Sequence, residues 1–456
     1  MKGLNDIKDK KVLVVGMARS GVSAARVLKG LGCRVIANDI KKTDELRDVE
    51  QELGPLGIEL YFGVQPDDIV EQMDMVVISP GVPIYTPFVQ KAKENGIEVI
   101  SEVELAYRLC SAPIVAITGT NGKTTTTSLI GEILKNAHMN TYIVGNIGKP
   151  FVAQTKNIQD GDVVVAEISS FQLEGIKYFK PKISVILNIT PDHLNRHKTM
   201  ENYINTKAKI FKNANENDYV VLNSDNSLSA SLDDRTKGKV LFFSSSKVLD
   251  RGAWVQDGMV IVDVGNGKKT VCHVDDIFIP GRHNLENALA AVLVTSILGV
   301  DTKTIKSTLK SFKGVEHRIE FVDDIEEIKF YNDSKGTNPD ASIKAIQAMK
   351  GPTVLIAGGM DKGLDFSDFI DAFDDIITDM VVLGETKDKL IQSASDKGFH
   401  NVYKVETLEQ AVLKAYDLAV PGGNVLLSPA CASWDMFKDY EERGRIFKAA
   451  VKALRR

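Results

Sequence analysis

The densest chemistry in this chain lies in Gly119-Thr-Asn-Gly-Lys-Thr-Thr125. That segment follows an apolar β-branched run, Ile114–Thr118, and leads into a helix-forming stretch, Thr126–Lys135. Gly119 and Gly122 let the backbone curl so that its N–H groups, including those of Thr120, Asn121 and Thr125, face an anion. Lys123 supplies a point charge between phosphates, and Thr124 a hydroxyl for Mg2+. The general phosphate loop is G-x-x-x-x-G-K-[ST], but position 117 is isoleucine, so the shorter G-x-x-G-K-T is present. Strand, loop, lysine, hydroxyl and helix still arrive in the order that a triphosphate site requires.

Such a loop alone does not separate a kinase from an ATPase or a ligase, so other strand ends matter. Glu167 closes an apolar run and opens Glu167-Ile-Ser-Ser-Phe-Gln-Leu-Glu174. Its carboxylate either holds Mg2+ opposite Thr124 or caps the next turn. Asn188-Ile-Thr-Pro-Asp-His-Leu-Asn-Arg-His197 follows another strand, and His193 within it reads equally as a metal ligand or as a hydrogen-bonded loop histidine. Lys207, Lys209 and Lys212 read as a solvated basic face, with nothing to select Lys207. Further on, His317-Arg318, Asn332-Asp-Ser-Lys-Gly-Thr-Asn-Pro339, Gly358–Gly363 and Ser428–Phe437 concentrate hydroxyls, charges and glycines after strand-like runs. Binding residues collect in such loops, although turn chemistry alone also uses these residue types.

A second phosphate-like turn, Gly16-Met-Ala-Arg-Ser-Gly21, joins a strand to a helix, and Asp39 ends the next strand. It resembles a dinucleotide fingerprint with Ala18 in place of the middle glycine. The alternatives are a diphosphate site at a helix N-terminus and a tight packing turn. Ser79-Pro-Gly81 closes another strand on the same carboxyl edge.

The elements that must position these groups alternate from end to end. Strands are expected at Lys11–Val15, Arg34–Asn38, Met75–Ser79, Ile114–Thr118, Val163–Ile168, Ile183–Asn188, Val220–Asn223, Val354–Ala357, Met380–Leu383 and Val425–Ser428. Most are apolar on both faces, as parallel strands covered by helices are. A helix through Asn284–Leu298 is apolar nearly all round and is expected to be buried. The acidic cluster Asp323–Glu327 reads as a solvated turn and its rim. The fold class is therefore α/β with doubly wound sheets. At 456 residues, 43% hydrophobic and 26% charged, the chain supports roughly three domains, with joins near 111–113 and 312–314. Lys plus Arg number 56 against 61 Asp plus Glu, a balance of −5 that argues against a nucleic-acid binder. The charged start Met1–Lys11 lacks the apolar core of a signal peptide, and no run reaches the roughly 20 residues of a membrane span. Four scattered cysteines fit a reducing compartment, so a cytoplasmic protein is expected.

Taken in order, GTNGKTT at 119–125, EISSFQLE at 167–174, NITPDHLNRH at 188–197, GRHNLENALAA at 281–291, HR at 317–318, NDSKGTNP at 332–339 and LLSPACASWDMF at 426–437 resemble the Mur ligase family over essentially the whole chain. The resemblance implies an N-terminal Rossmann-like domain for a UDP-linked substrate (1–111), a central mononucleotide-binding sheet for ATP (112–313) and a Rossmann-like C-terminal domain for an amino acid (314–456). It implies two Mg2+, held by Thr124, Glu167, His193 and a carbamylated Lys207, and ATP contacts from the loop with Asn287, Arg318 and Asp333. Gly16, Ser20, Asp39, Ser79 and Asn146 would face the uridine nucleotide. Lys335, Thr337, Lys362, Ser433 and Trp434 would line a D-glutamate pocket, the last where the family more often has leucine. The Asp-Asn-Pro-Arg loop expected of members that add a diamino acid is absent, and the resemblance of the EISSFQLE, NDSK and SPACASWD segments favours the glutamate-adding members, with UDP-N-acetylmuramoyl-L-alanine as acceptor. A monomer acting on small molecules, with no nucleic acid or membrane partner, is expected. The competing readings are a nicotinamide oxidoreductase, which leaves the Gly119 loop unexplained, and a regulatory ATPase whose turnover ignores amino acids.

Overall fold

Apolar β-branched runs become the strands of three sheets in the computed structural model, which describes residues 7–455. The first six residues of the charged N-terminal segment lie outside the described residues. The first sheet comprises β1 (Lys11–Val15), β2 (Arg34–Asp39), β3 (Glu59–Phe62), β4 (Met75–Ile78) and β5 (Glu98–Ser101). Its order, β3-β2-β1-β4-β5, is parallel throughout and reverses direction between β1 and β4. Ligands of open α/β sheets bind at that switch point, and the loops after β1 and β4 lie there.

The second sheet comprises β6 (Ile114–Thr118), β7 (Thr141–Gly145), β8 (Val163–Glu167), β9 (Ile183–Ile186), β10 (Tyr219–Asn223), β11 (Lys239–Ser244), β12 (Gly252–Gln256), β13 (Met259–Asp263) and β14 (Lys269–His273). The order is β14-β13-β12-β11-β10-β9-β6-β8-β7. β6 therefore lies between β8 and β9, with Ile117 paired to Glu167 and Thr118 to Ile186. The sequence-distant ends of β6, β8 and β9 meet on one edge. Only β12–β14 pair antiparallel.

The third sheet comprises β15 (Glu320–Ile325), β16 (Ile328–Asn332), β17 (Thr353–Ala357), β18 (Ile377–Val382), β19 (Val402–Lys404) and β20 (Asn424–Leu427), in the order β15-β16-β20-β17-β18-β19. β20 lies between β16 and β17, which sets the loops after all three side by side. The acidic segment is the β15–β16 hairpin, turning at Glu326 and Glu327, both with positive φ. The first two sheets share one compact unit that runs to Asp276 and includes Glu286–Lys310. The third belongs to a second unit, Ile277–Leu285 with the chain from Ser311 on.

Every expected strand exists to within a few residues. Of the strands not expected, β3, β7 and β19 are half-exposed and lack the continuous apolar run of a central strand. The helix Arg282–Ile297 is buried over Ala288–Val294, as its uniform hydropathy required. Where the second sheet meets the first, buried Glu104 accepts the backbone N–H groups of Lys177, Tyr178 and Phe179 and pairs with Arg108. Arg108 in turn forks onto Glu98 and holds its carboxyl down at about 2.

Candidate functional site

The phosphate loop leaves β6 and ends in the helix Lys123–Asn136, so the N–H groups of Lys123, Thr124 and Thr125 have no carbonyl inside their own helix. Gly122 caps that helix at φ +84, and a Cβ there would lie 2.2 Å from Asn287 Oδ1. Glycine is thus required twice, by conformation and by the close approach of Asn287. Asn287 is buried and accepts the Thr126 hydroxyl at 3.2 Å, which places this distant residue against the loop. Asn188, after β9, pins the other side. Its carbonyl and Oδ1 accept the N–H groups of Thr120 and Asn121, both at 2.9 Å, so these two donors brace the loop and, contrary to the expectation from the glycine spacing, do not face an anion. Thr120 Oγ1 also accepts the Thr190 N–H at 3.0 Å. Lys123 Nζ folds back on the carbonyls of Gly119 and Thr120, each at 2.9 Å.

Glu167 ends β8 beside this loop and is 1% exposed. Asn146 Nδ2 donates to Glu167 Oε1 at 2.7 Å, whereas buried Oε2 has no partner. A buried carboxylate oxygen left without a donor is expensive and suits a cation. Thr124 is buried at the start of the neighbouring helix. His193, in left-handed conformation at φ 54, is half-exposed with its Nε2 3.5 Å from Asp192. Among the described residues no three His, Cys, Asp or Glu side chains converge on one point. Mg2+ does not need such a cage, because it keeps waters and binds through one or two carboxylates plus phosphate oxygens. The donor set present fits Mg2+.

Lys207 corrects the reading of a solvated basic face. The helix Met200–Ala208 turns it inward, to 1% exposure, and its Nζ donates to Gly119 O at 2.8 Å. Burial first, and then the charge of Lys123, push its amine well below the ordinary lysine range. Lys212, by contrast, is exposed.

At the switch point of the first sheet, Gly16 sits at φ +89 and a Cβ on Gly21 would meet Gly16 O at 1.9 Å. Ser79 Oγ donates to Gly16 O at 2.6 Å, joining the two loops. Ser20 lies in the first turn of the helix Arg19–Gly30, and Ala18 precedes it as N-cap. Asp39 already accepts the N–H groups of Met17 at 2.7 Å and Lys41 at 2.9 Å, so it also braces the glycine turn. Asn146 sits on Glu167, but its loop reaches this region too, because Arg19 donates to Gly148 O at 2.7 Å.

In the second unit, Asp333 follows β16 and is buried, its oxygens accepting the Ile319 N–H at 3.2 Å and the Ser428 hydroxyl at 2.7 Å. Burial raises its carboxyl to about 7 against the pull of Ser428 and Arg318. Arg318 Nε is buried with no partner. The Lys335 N–H donates to His317 O, and that of Thr337 to Lys335 O, which folds 333–337 over the His317-Arg318 turn. Lys362 Nζ lies 4.4 Å above the Trp434 ring, and Trp434 is 64% exposed beside buried Ser433. Buried Arg443 reaches Ser334 O at 2.8 Å and Cys431 O at 3.2 Å and locks two of these loops together. Residue types alone did not single out Asn188 and Arg443. Their only sequence signal was an asparagine at the end of a buried strand and an arginine on an amphipathic helix.

Comparison with known proteins matches three family models in chain order. These are the Mur ligase MurD-like N-terminal domain over 10–101, the Mur ligase middle domain over 117–295 and the Mur ligase glutamate ligase domain over 317–431. The UDP-N-acetylmuramoylalanine--D-glutamate ligase of Caldanaerobacter subterraneus subsp. tengcongensis is 52% identical over 99% of this chain and 100% of its own. That of Clostridioides difficile is 47% identical over 99% and 100%. Among solved structures, the UDP-N-acetylmuramate-alanine ligase of Thermotoga maritima superposes with a TM-score of 0.58 at 21% identity, covering 98% of this chain and 100% of that one. The MurF ligase from Thermotoga maritima in complex with ADP gives 0.56 at 16%, covering 100% and 98%. With all three segments matched and full-length relatives at this identity, the chain belongs to the Mur ligase family.

Proposed function

We propose that this chain joins D-glutamate to UDP-N-acetylmuramoyl-L-alanine at the expense of ATP, in the synthesis of peptidoglycan precursors. The carrying observation is the Gly119–Thr125 loop beside a buried, donorless oxygen of Glu167, in a chain that matches D-glutamate ligases from end to end. The region 1–111 binds the UDP substrate through Gly16, Ser20, Asp39, Ser79 and Asn146. Region 112–313 binds ATP, and 314–456 binds the amino acid. The enzyme works as a monomer in the cytoplasm; no helix among the described residues is long and apolar enough to cross a membrane.

The N–H groups at the start of the helix Lys123–Asn136 and the Lys123 ammonium hold the triphosphate and draw charge from its terminal group. Asn287, Arg318 and Asp333 orient the nucleotide. The alanyl carboxylate attacks the γ-phosphorus and ADP leaves, which converts an inert carboxylate into an acyl phosphate. The amine of D-glutamate, held by Lys335, Thr337, Lys362, Ser433 and Trp434, adds to the acyl carbon and loses a proton. Collapse of the tetrahedral species expels inorganic phosphate and leaves the amide. Thr124, Glu167, His193 and Lys207 would hold two Mg2+, which supply charge neutralisation of the transferring phosphoryl group. Carbamylation would turn Lys207 from an amine into the anionic ligand that such a site needs.

The test is phosphate release with the UDP-linked acceptor while D- and L-amino acids are varied, using acceptor carrying oxygen-18 in its carboxyl group. D-Glutamate is expected to be strongly preferred, with one labelled oxygen appearing in the released phosphate. Amino-acid-independent hydrolysis, or unlabelled phosphate, would overturn the reading.

A further inference from the structure

Arg196 takes no part in the mechanism above, yet its side chain is only 11% exposed and its donors are fully used. Nε and Nη2 fork onto Glu174 at 3.2 and 2.5 Å. Nη1 donates to Pro80 O at 2.9 Å and Gly81 O at 3.5 Å, and Nη2 to Val82 O at 3.1 Å. A guanidinium has five N–H donors, and these contacts occupy all of them. The ring of Phe171 lies 4.2 Å beneath the guanidinium and 5.0 Å from the ring of His193. Arg196 also belongs to the single turn Leu194–His197, whose first backbone bonds close onto His193 O. One side chain thus grips three successive carbonyls of the loop after β4 while fixing the turn that carries His193.

We propose that Arg196 is a positioning residue that couples occupancy of the Ser79–Val82 loop by the UDP-linked substrate to the cation affinity of the His193 turn. This rests on the reading above for both ends. Ser79 is tied to Gly16, so a ligand that orders the glycine turn also orders the carbonyls that Arg196 holds. His193 is a non-glycine residue in left-handed conformation, a state that persists only while its surroundings impose it. Loosening Arg196 therefore frees His193 to leave its orientation. A lysine cannot replace the fork, because a point charge cannot grip a carboxylate bidentately and three carbonyls together. Coupling of this kind is reciprocal, so metal at the His193 turn also tightens the acceptor.

The test titrates Mn2+, as an EPR-visible substitute for Mg2+, into the full chain with ADP, with and without saturating UDP-N-acetylmuramoyl-L-alanine. In the wild type the acceptor is expected to tighten Mn2+ binding at least about fivefold, the lower end of ordinary coupling. In Arg196→Met the effect falls to within about twofold of none, kcat drops and the KM for ATP stays within about twofold. Arg196→Lys recovers only part of the coupling. If Arg196→Met does not fold, Glu174→Gln leaves the arginine in place without its ion pair and must weaken the coupling in the same direction. Wild-type coupling in folded variants, or none in a wild type that makes the D-glutamate amide, overturns the proposal. A wild type that makes no such amide overturns the functional reading instead.

Discussion

Replacing Glu167 by glutamine separates the demands of folding from those of catalysis, because the two effects have opposite signs. Glu167 is 1% exposed, Oε1 accepts one hydrogen bond from Asn146, and Oε2 meets no donor from the protein itself. Glutamine keeps the shape and the Asn146 bond and removes the buried charge. An unsatisfied buried polar atom costs about 1–3 kcal/mol, and a charged one more. Glu167→Gln is therefore expected to stabilise the empty protein by roughly 1–2 kcal/mol, the lower half of that range, since the new amide nitrogen also lacks an acceptor. In a scanning melt this is a rise of a few degrees at most. With Mg2+ and ATP the order reverses. A ligand at 100 times its Kd stabilises the wild type by about 2.7 kcal/mol, and the variant forfeits much of that gain. Turnover should fall by about 1000-fold, as removal of one preorganised electrostatic contact to a transferring group does. Melting curves with and without Mg2+ and ATP, beside phosphate release, read all three. A variant that melts lower when empty, or gains as much from Mg2+ and ATP as the wild type, would refute the reasoning.

Two further outcomes follow from buried groups. Glu102 is buried with Oε2 unpartnered, and burial raises its carboxyl from 4.5 to about 7 despite the Val152 N–H bond. Because its folded value exceeds its unfolded one, its contribution is whole below about 4.5 and is lost as pH rises through 7. Glu102→Gln should gain roughly 1–3 kcal/mol over wild type at pH 8 and almost nothing at pH 4.5, read from denaturant melts; an equal gain at both would contradict the assignment. Lys207→Ala should lose about 100-fold or more in turnover and recover part of it with millimolar formate or acetate, which can enter the vacated space as anions. Full activity without the additive would remove the carbamate from the reaction.

The central strands were legible because their burial on both faces leaves uninterrupted β-branched runs, as in β1, β6 and β17. Edge and hairpin strands such as β3, β13 and β19 carry weaker patterns, since one side meets solvent and neighbours supply the pairing. The phosphate loop was legible for a related reason: strand, glycine turn, lysine and helix are contiguous, so local spacing fixes their geometry.

What lies far apart in sequence had to be decided by the fold. Strand order brings the end of β8 to β6, so Glu167 lies beside the loop, and the helix Arg282–Ile297 delivers Asn287 to Gly122. Lys207, Lys209 and Lys212 are the same residue type within six positions, and only tertiary packing turns the first inward onto Gly119 O while the last stays in water. Side-chain chemistry is written in the chain, but protonation, pairing and access depend on which surfaces meet. Desolvation and charge act through space, and spacing along the backbone does not record them.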